Sequence, residues 1–224
     1  RRCVNPALLK LELMAHGIRA AEGLPEVLAN PFGLVHLVLP EGLVVSTHQV
    51  VDHATTPFTL KQVDHRFVLD DSRSPGDSIP VRWTPPLQSY HKKTSSGVLI
   101  SDILTVHSGF IAVHPRGPCR FGQSGLACRY CGSTRELSQH PPFSKQDLVE
   151  ALEIVLKEKR CDFVHLSSGH VDSEDGGLVW LESWVAEIRR HVNILISLNL
   201  APPRSNDWID RTYAVATKEV TLEQ

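Results

Sequence analysis

The sequence predicts an α/β protein in which a mixed α/β region, residues 1–96, precedes a series of βα units, residues 97–224. The main observation is an alternation: from residue 109 onward, short β-branched and apolar runs alternate with segments of helical periodicity. Such alternation is typical of a parallel sheet with crossover helices. The hydrophobic fraction of 42% is high enough to bury a sizeable core and excludes disorder as the main state.

The N-terminal region begins with a predicted helix. Asn5 is a suitable N-cap, Pro6 takes the first helical position, and a broad apolar face extends to about Ala21. The runs that follow predict a hairpin and one further strand, and a segment rich in Asp, Ser, Gly and Pro then predicts a long loop. Their ranges are 34–39 and 43–51 for the hairpin, 59–69 for the strand and 70–86 for the loop.

The C-terminal region carries the βα pattern. Its predicted elements are a strand over 109–114, a helix over 145–159 capped by Ser144, a strand over 161–166, a helix over 176–191, a strand over 192–200 and a helix that begins after Ser205 or Asn206. The pattern stops on the approach to another strand, which leaves fewer strands than such an architecture usually has and favours a fragment of a longer protein. The alternative is a small three-stranded α/β domain completed by the N-terminal strands.

Charge and hydropathy exclude several classes of function. Lys and Arg total 23 against 25 Asp and Glu, a formal net charge of −2, and no block of like charge stands out, which argues against nucleic acid or an anionic membrane as the main partner. The most apolar stretch, 33–51, is interrupted by polar residues and falls short of the roughly 20 apolar residues of a spanning helix. No secretory signal is recognisable near the first residue, so we expect a cytoplasmic protein.

Three of the five cysteines crowd into the loop after the strand at 109–114. Cys119, Cys128 and Cys131 have the spacing C-x8-C-x2-C, and the odd total favours a metal or cluster site in a reducing compartment over a disulfide framework. Ligands of α/β sheets and barrels bind at the carboxyl ends of the strands, where this loop must begin. Three thiolates can ligate three irons of a [4Fe-4S] cluster and leave the fourth iron open.

Two other interpretations of the triad remain open. A structural zinc site of the Cys3His type would take His107, His114 or His140 as fourth ligand. A redox C-x2-C pair is the other alternative, although such a motif should open a helix and Gly132 starts one poorly. The position of a single triad at the carboxyl end of a strand favours the cluster over both.

Several other polar residues are interpreted from their positions alone. Cys161, at the start of a strand, is expected to be a small buried residue. Asp172, Glu174 and Asp175 are expected to form a solvated loop that also favours the N-terminus of the following helix. His170, on the turn after the second strand of the βα series, is a candidate site residue.

The cysteine loop resembles the cluster loop of the radical S-adenosylmethionine superfamily. The resemblance rests on three cysteines that follow the first strand of a βα series and on an aromatic residue directly before the last of them, Tyr130-Cys131. It covers residues 97–217 and implies a partial (βα) barrel of the type found in radical S-adenosylmethionine enzymes. The spacing departs from the usual C-x3-C-x2-C of the superfamily, so the branch is not assigned, and the N-terminal region matches no family that we can name.

The resemblance implies a cofactor set and a reaction. Cys119, Cys128 and Cys131 would hold the [4Fe-4S] cluster, and S-adenosylmethionine would chelate its open iron. One electron, from a reductant such as ferredoxin or flavodoxin, would then cleave the sulfonium and yield a 5′-deoxyadenosyl radical that abstracts hydrogen from a substrate of unknown identity.

The resemblance also implies further cofactor contacts. Tyr130 would pack near the adenine. Ser168 and Gly169 stand where the superfamily has a glycine-rich turn, but the expected Gly-Gly-Glu is absent, so they are expected to make backbone contacts alone. Ser197 and Asn199, at the end of the third strand, would face the cofactor.

Overall fold

The computed structural model of this chain forms two compact units, Arg1–Gln88 and Ser89–Gln224. It describes residues 5–24, 29–50, 56–115, 119–126 and 141–217, with side chains described as far as residue 214. Both units combine helix and sheet, which agrees with the predicted α/β class. The expected boundary at residue 96 lies inside the second unit. Within the described ranges, no helix has the length and apolarity that crossing a bilayer requires.

Helix α1, Pro6–His16, begins where the sequence predicts. The side chain of Asn5 accepts hydrogen bonds from two N–H groups of the first turn, at 3.0 and 3.2 Å, and so satisfies donors that the helix itself leaves free. The predicted extension to about Ala21 is wrong. Gly17 adopts φ 70° and ends the helix, and Ile18 already belongs to the sheet that follows.

The described residues of the first unit form one six-stranded sheet, with the order β1-β4-β5-β6-β2-β3. Their bounds are β1 Arg19–Ala20, β2 Leu34–Val38, β3 Val44–His48, β4 Phe58–Val63, β5 Arg66–Asp71 and β6 Ser78–Thr84. The two outer strands of this order meet. Ile18, next to β1, bridges Gln49, next to β3, with hydrogen bonds of 2.9 and 2.8 Å on either side, so the sheet closes on itself as a small barrel.

The hairpin of β2 and β3 is confirmed, whereas two other predictions for this region are wrong. Residues 59–69 do not form one strand, because Asp64 and His65 adopt positive φ and turn the chain between β4 and β5. The predicted loop over 70–86 contains β6. Pro80 within that strand argued against it, but Ile79 and Val81 alternate with more exposed neighbours as a half-buried strand requires.

The core of the first unit lies inside this barrel and beneath α1. Leu9 and Leu13 of the helix are buried together with residues from the strands. The buried cluster consists of Leu9, Leu13, Ile18, Val35, Leu37, Leu39, Val45, Phe58, Leu60, Leu69 and Ile79. The barrel interior is therefore filled with side chains.

In the part of the second unit that the structure describes, four strands form a sheet of order β10-β9-β8-β7. The elements of this part are α2 Ile100–Ile103, β7 Leu104–His107, β8 Phe110–Val113, α3 Arg120–Gln123, α4 Lys145–Glu158, β9 Phe163–Ser167, α5 Leu178–His191, β10 Leu195–Asn199 and α6 Asp207–Thr217. Strands β8, β9 and β10 are parallel, as the βα pattern predicts. The sequence did not predict β7, which pairs antiparallel with β8.

The two faces of this sheet differ. Successive crossovers β8-α4-β9 and β9-α5-β10 step in the same direction, and because such crossovers are right-handed, both helices lie on one face. Ile111, Val113, Val164 and Leu166 point to the buried face, and each is at most 2% exposed. The alternate residues form the opposite face, here called the inner face, and are half-buried or exposed.

Helix α4 is fastened at its N-terminus by a buried carboxylate. Ser144 and Asp147 form the predicted cap as a reciprocal capping box. Asp147 also accepts hydrogen bonds from Thr94, at 2.7 Å, and from Ser96. Segment 89–96 is thereby tied to α4, which explains why it belongs to the second unit.

Candidate functional site

The carboxyl ends of the three parallel strands meet at one edge of the second sheet. His114 directly follows β8, the turn formed by residues 168–170 follows β9, and Asn199 ends β10. Ser167 and Asn199 are register partners, so these two strands end at the same level. This edge is where α/β sheets and barrels bind ligands.

Cys119 lies at this edge. The N–H of the next residue, Arg120, donates a 2.8 Å hydrogen bond to the carbonyl oxygen of His170, and the rings of Phe121 and His170 stack with centroids 4.9 Å apart. Cys119 is half-buried, its thiol is free, and its Cβ and Sγ lie against Gly169. The beginning of the cysteine loop and the turn after β9 are therefore in direct contact.

The remaining members of the proposed cysteine loop lie outside the described residues. These are Cys128, Tyr130 and Cys131. Within the described ranges no group of three metal-binding side chains occurs. Those ranges include Cys119 but neither Cys128 nor Cys131.

The other candidate cofactor contacts are close to one another. Ser168 donates its N–H to the carbonyl oxygen of Asn199 at 3.0 Å, and its hydroxyl donates to the carbonyl oxygen of Gly169 at 3.2 Å. Ser197 lies one layer further from the edge, with its Oγ 3.1 Å from Nδ1 of His165. The structure thus brings Ser168, Gly169 and Asn199 together at the edge and places Ser197 beneath them.

The inner face below this edge is arranged in layers. In the layer furthest from the edge, Phe110 stacks between His107 and Phe163, with ring centroids 4.9 and 5.0 Å apart. The middle layer contains His165 and Ser197, and the layer at the edge contains the pair His114 and Ser167, joined at 3.1 Å. Strands β7 to β10 carry no Asp, Glu, Lys or Arg, so the described part of this face has no permanently charged side chain.

Burial keeps two histidines of this face neutral. Desolvation lowers the pKa of His107, and electrostatic interactions with the nearby His165 and Lys159 act in the same direction. Desolvation also lowers the pKa of His114, against the opposing effect of the Ser167 backbone. Both imidazoles are therefore uncharged at neutral pH.

The positions of the histidines limit which of them could complete a Cys3His zinc site. His107 pairs with Phe110 at the amino end of β8, opposite the edge that carries Cys119. His114 lies at the correct edge, and His140 is outside the described residues. A Cys3His site would therefore use His114 or His140.

Charged side chains form a network at the rim of the site. Asp172 forms an ion pair with Arg120 from the cysteine loop, and it lies 3.6 Å from Arg204, which follows β10. Arg204 also pairs with Glu174 at 2.8 Å. Asp172 therefore connects the loops that follow all three parallel strands.

The expectation for the acidic segment 172–175 is confirmed at Asp175 and is incomplete at the other two carboxylates. Asp175 accepts a 2.9 Å hydrogen bond from the N–H of Val179 in the first turn of α5, which confirms its expected role at that N-terminus. The pairing of Asp172 and Glu174 with arginines was missed, because no spacing in the sequence connects residues on separate loops. Cys161 is buried as expected, and this burial raises the pKa of its thiol.

A thiolate-ligated cluster fits the described part of the site. Cys119 offers a free, half-buried thiol, and Asp172, a carboxylate at the rim of the site, is paired with arginine. The residue against the thiol is a glycine, so no side chain at that position occupies the space beside sulfur.

Comparison with protein-family models, with curated proteins and with solved structures found no match to this chain.

Proposed function

We propose that this chain is a radical S-adenosylmethionine enzyme, or a portion of one, built on a partial (βα) barrel. The single observation that carries the proposal is the meeting of the cysteine loop, the turn after β9 and the end of β10 at one edge of a parallel sheet. A structural zinc staple has no need of this convergence, whereas a cofactor that contacts several loops does.

Two features of the second unit support the barrel. Its parallel strands are added in one direction, β8 to β9 to β10, with the crossover helices on one face, which is how a (βα) barrel begins. Its inner face is partly polar and half-buried, as the interior of an incomplete barrel would be.

The residues have distinct roles in this proposal. The cluster is held by Cys119, Cys128 and Cys131, and S-adenosylmethionine is contacted by Tyr130, Ser168, Gly169, Ser197 and Asn199. When bound and reduced, the cluster supplies the electron that cleaves the sulfonium of S-adenosylmethionine, and a ferredoxin or flavodoxin is the expected class of donor.

The chain's own residues would prepare the site for this chemistry. The hydrogen bond from Ser168 to Asn199 aligns two of the contacting segments, and the ion pair of Arg120 with Asp172 holds the loop near them. In the described part of the inner face, the neutral imidazoles of His107 and His114 and the rings of Phe110 and Phe163 would lie beneath the cofactor, and strands β7 to β10 place no Asp, Glu, Lys or Arg beside them.

Anaerobic reconstitution with iron and sulfide tests the proposal. We expect close to four irons per chain and an EPR signal of the dithionite-reduced protein that changes on addition of S-adenosylmethionine. Alanine variants of Cys119, Cys128 and Cys131 should lose the cluster, and Cys161→Ala, which removes a buried thiol, should retain it. Stoichiometric zinc without a cluster would instead establish the structural metal site and refute the proposal.

A further inference from the structure

We infer that Gly169 is a positioning residue for Cys119. Because Gly169 has no side chain, the turn after β9 can pack directly against Cys119 and so fix the position of its thiol. The inference rests on the proposed function in so far as Cys119 ligates the cluster. Its geometric part depends on the described residues alone.

The contact is too close for any other residue. A Cβ placed on Gly169 would lie 2.4 Å from Cβ, 2.9 Å from Cα and 3.0 Å from Sγ of Cys119. The two nearest atoms belong to or adjoin the backbone, so rotation of the cysteine side chain would not relieve the collision. One of the two segments would have to move.

The backbone conformation of Gly169 does not itself require glycine. Gly169 is not among the glycines with positive φ, so φ gives no reason for glycine here. Glycine at this position is therefore explained by the proximity of Cys119, a residue from a different loop.

Hydrogen bonds on both sides hold the turn in place. On one side Ser168 donates to Asn199, and on the other His170 accepts from Arg120, at 3.0 and 2.8 Å. The stacking of Phe121 on His170 adds a second link to the cysteine loop. The turn is anchored to β10, so a side chain at position 169 would displace Cys119 and the start of its loop.

Gly109 provides a matched control. It too lacks positive φ, and a Cβ at this position would meet only Oδ2 of Asp162, at 3.1 Å, which is the end of a side chain. Gly109 lies before β8, at the sheet edge opposite the cysteine loop. Gly109→Ala therefore adds the same methyl group to the same unit away from the site.

The experiment compares Gly169→Ala with Gly109→Ala by two measurements. In reconstituted protein, we expect a chelator to remove iron about tenfold faster from Gly169→Ala than from the wild type, with a changed EPR signal, and no such effect in Gly109→Ala. In cluster-free protein, peptide mass spectrometry should show a changed rate of iodoacetamide alkylation at Cys119 in Gly169→Ala alone. Equal behaviour of the two variants in both measurements overturns the inference.

A double-mutant cycle keeps the inference testable if Gly169→Ala folds poorly. Replacement of Cys119 by glycine removes Cβ and Sγ, the atoms 2.4 and 3.0 Å from the new methyl group, and leaves only Cα, at 2.9 Å. Gly169→Ala should therefore lower the melting temperature less in the Cys119→Gly background than in the wild type. An equal loss in both backgrounds refutes the positioning role. Failure of the wild type to bind iron refutes the proposed function, and the alkylation rates and the cycle still decide the geometric claim.

Discussion

The N–H of Ser168 donates a 3.0 Å hydrogen bond to the carbonyl oxygen of Asn199. The bond continues the pairing of β9 with β10 one residue beyond the register pair of Ser167 and Asn199. Because it joins the turn after one strand to the last residue of the next, the candidate cofactor contacts on these two segments are held at a common level of the sheet.

The first prediction concerns Asn199. In Asn199→Ala we expect the dissociation constant of S-adenosylmethionine to rise about tenfold, which corresponds to about 1.4 kcal/mol for a lost polar contact. The iron content should not change, because the cysteines are untouched. Titration of the EPR signal with S-adenosylmethionine measures the constant.

Asn193 is the matched control for this variant. It is exposed and precedes β10, whereas Asn199 ends the same strand. Asn193→Ala should bind S-adenosylmethionine like the wild type. Equal weakening in both variants would contradict the assignment of Asn199 to the cofactor site.

The second prediction is a pH dependence of stability that originates at Asp147. Burial would raise its pKa, but hydrogen bonds from Ser144, Ser96 and Thr94 outweigh burial and hold the pKa well below the ordinary value. A depressed folded-state pKa stabilises the protein above the unfolded value of about 4, and this contribution is lost as the pH falls toward the folded value.

Asp147→Asn should therefore lower the free energy of unfolding by about 2 kcal/mol near pH 7. The difference from the wild type should shrink as the pH falls below about 4, because the unfolded wild-type chain then binds a proton at this carboxyl while the folded chain does not. Denaturant titrations at several pH values measure this. Glu153→Gln, an exposed position on the same helix, should show little effect, and a pH-independent loss in Asp147→Asn would contradict the electrostatic explanation.

The third prediction separates backbone strain from collision at two glycines of the second unit. Gly97 and Gly176 both have positive φ, 92° and 62°. No heavy atom would lie within 4 Å of a Cβ at Gly97, whereas a Cβ at Gly176 would lie 2.4 Å from the carbonyl oxygen of Ala201.

We expect Gly97→Ala to cost about 1 to 2 kcal/mol of unfolding free energy from strain alone. Gly176→Ala should cost about 3 kcal/mol or more, because the collision adds to the strain. Equilibrium denaturation of both variants measures the difference. Equal losses would mean that the turn before α5 can move away from the segment after β10.

The fourth prediction tests the core of the first unit. Leu13 lies on the buried face of α1 and is fully buried, and Leu11 of the same helix is 64% exposed. Leu13→Ala should reduce the free energy of unfolding by about 2 to 5 kcal/mol through lost burial and the cavity that remains. Leu11→Ala should change it by about 0.5 kcal/mol or less, since alanine is at least as good a helix former. Similar losses would show that α1 does not pack as described.

Prediction from the sequence succeeded where the determining interactions are local. Asn5 and Ser144 cap the helices that follow them, and the alternation of strands and helices after residue 109 is the parallel sheet. A cap acts within one turn and periodicity within one element, so both can be recognised without the rest of the fold. Reasoning from local sequence failed at β6. Pro80 and its polar neighbours predicted a loop there, whereas pairing with β2 and β5 stabilises a strand.

By itself, the sequence determined the order of the βα elements, the near-neutral charge and the C-x8-C-x2-C triad on which the proposed function depends. Tertiary structure alone decided that the first sheet closes through Ile18 and Gln49, that Gly169 lies against Cys119 and that Asp172 joins the loops after three strands. The physical reason is that these contacts join segments far apart in the chain, and no local propensity or spacing encodes them.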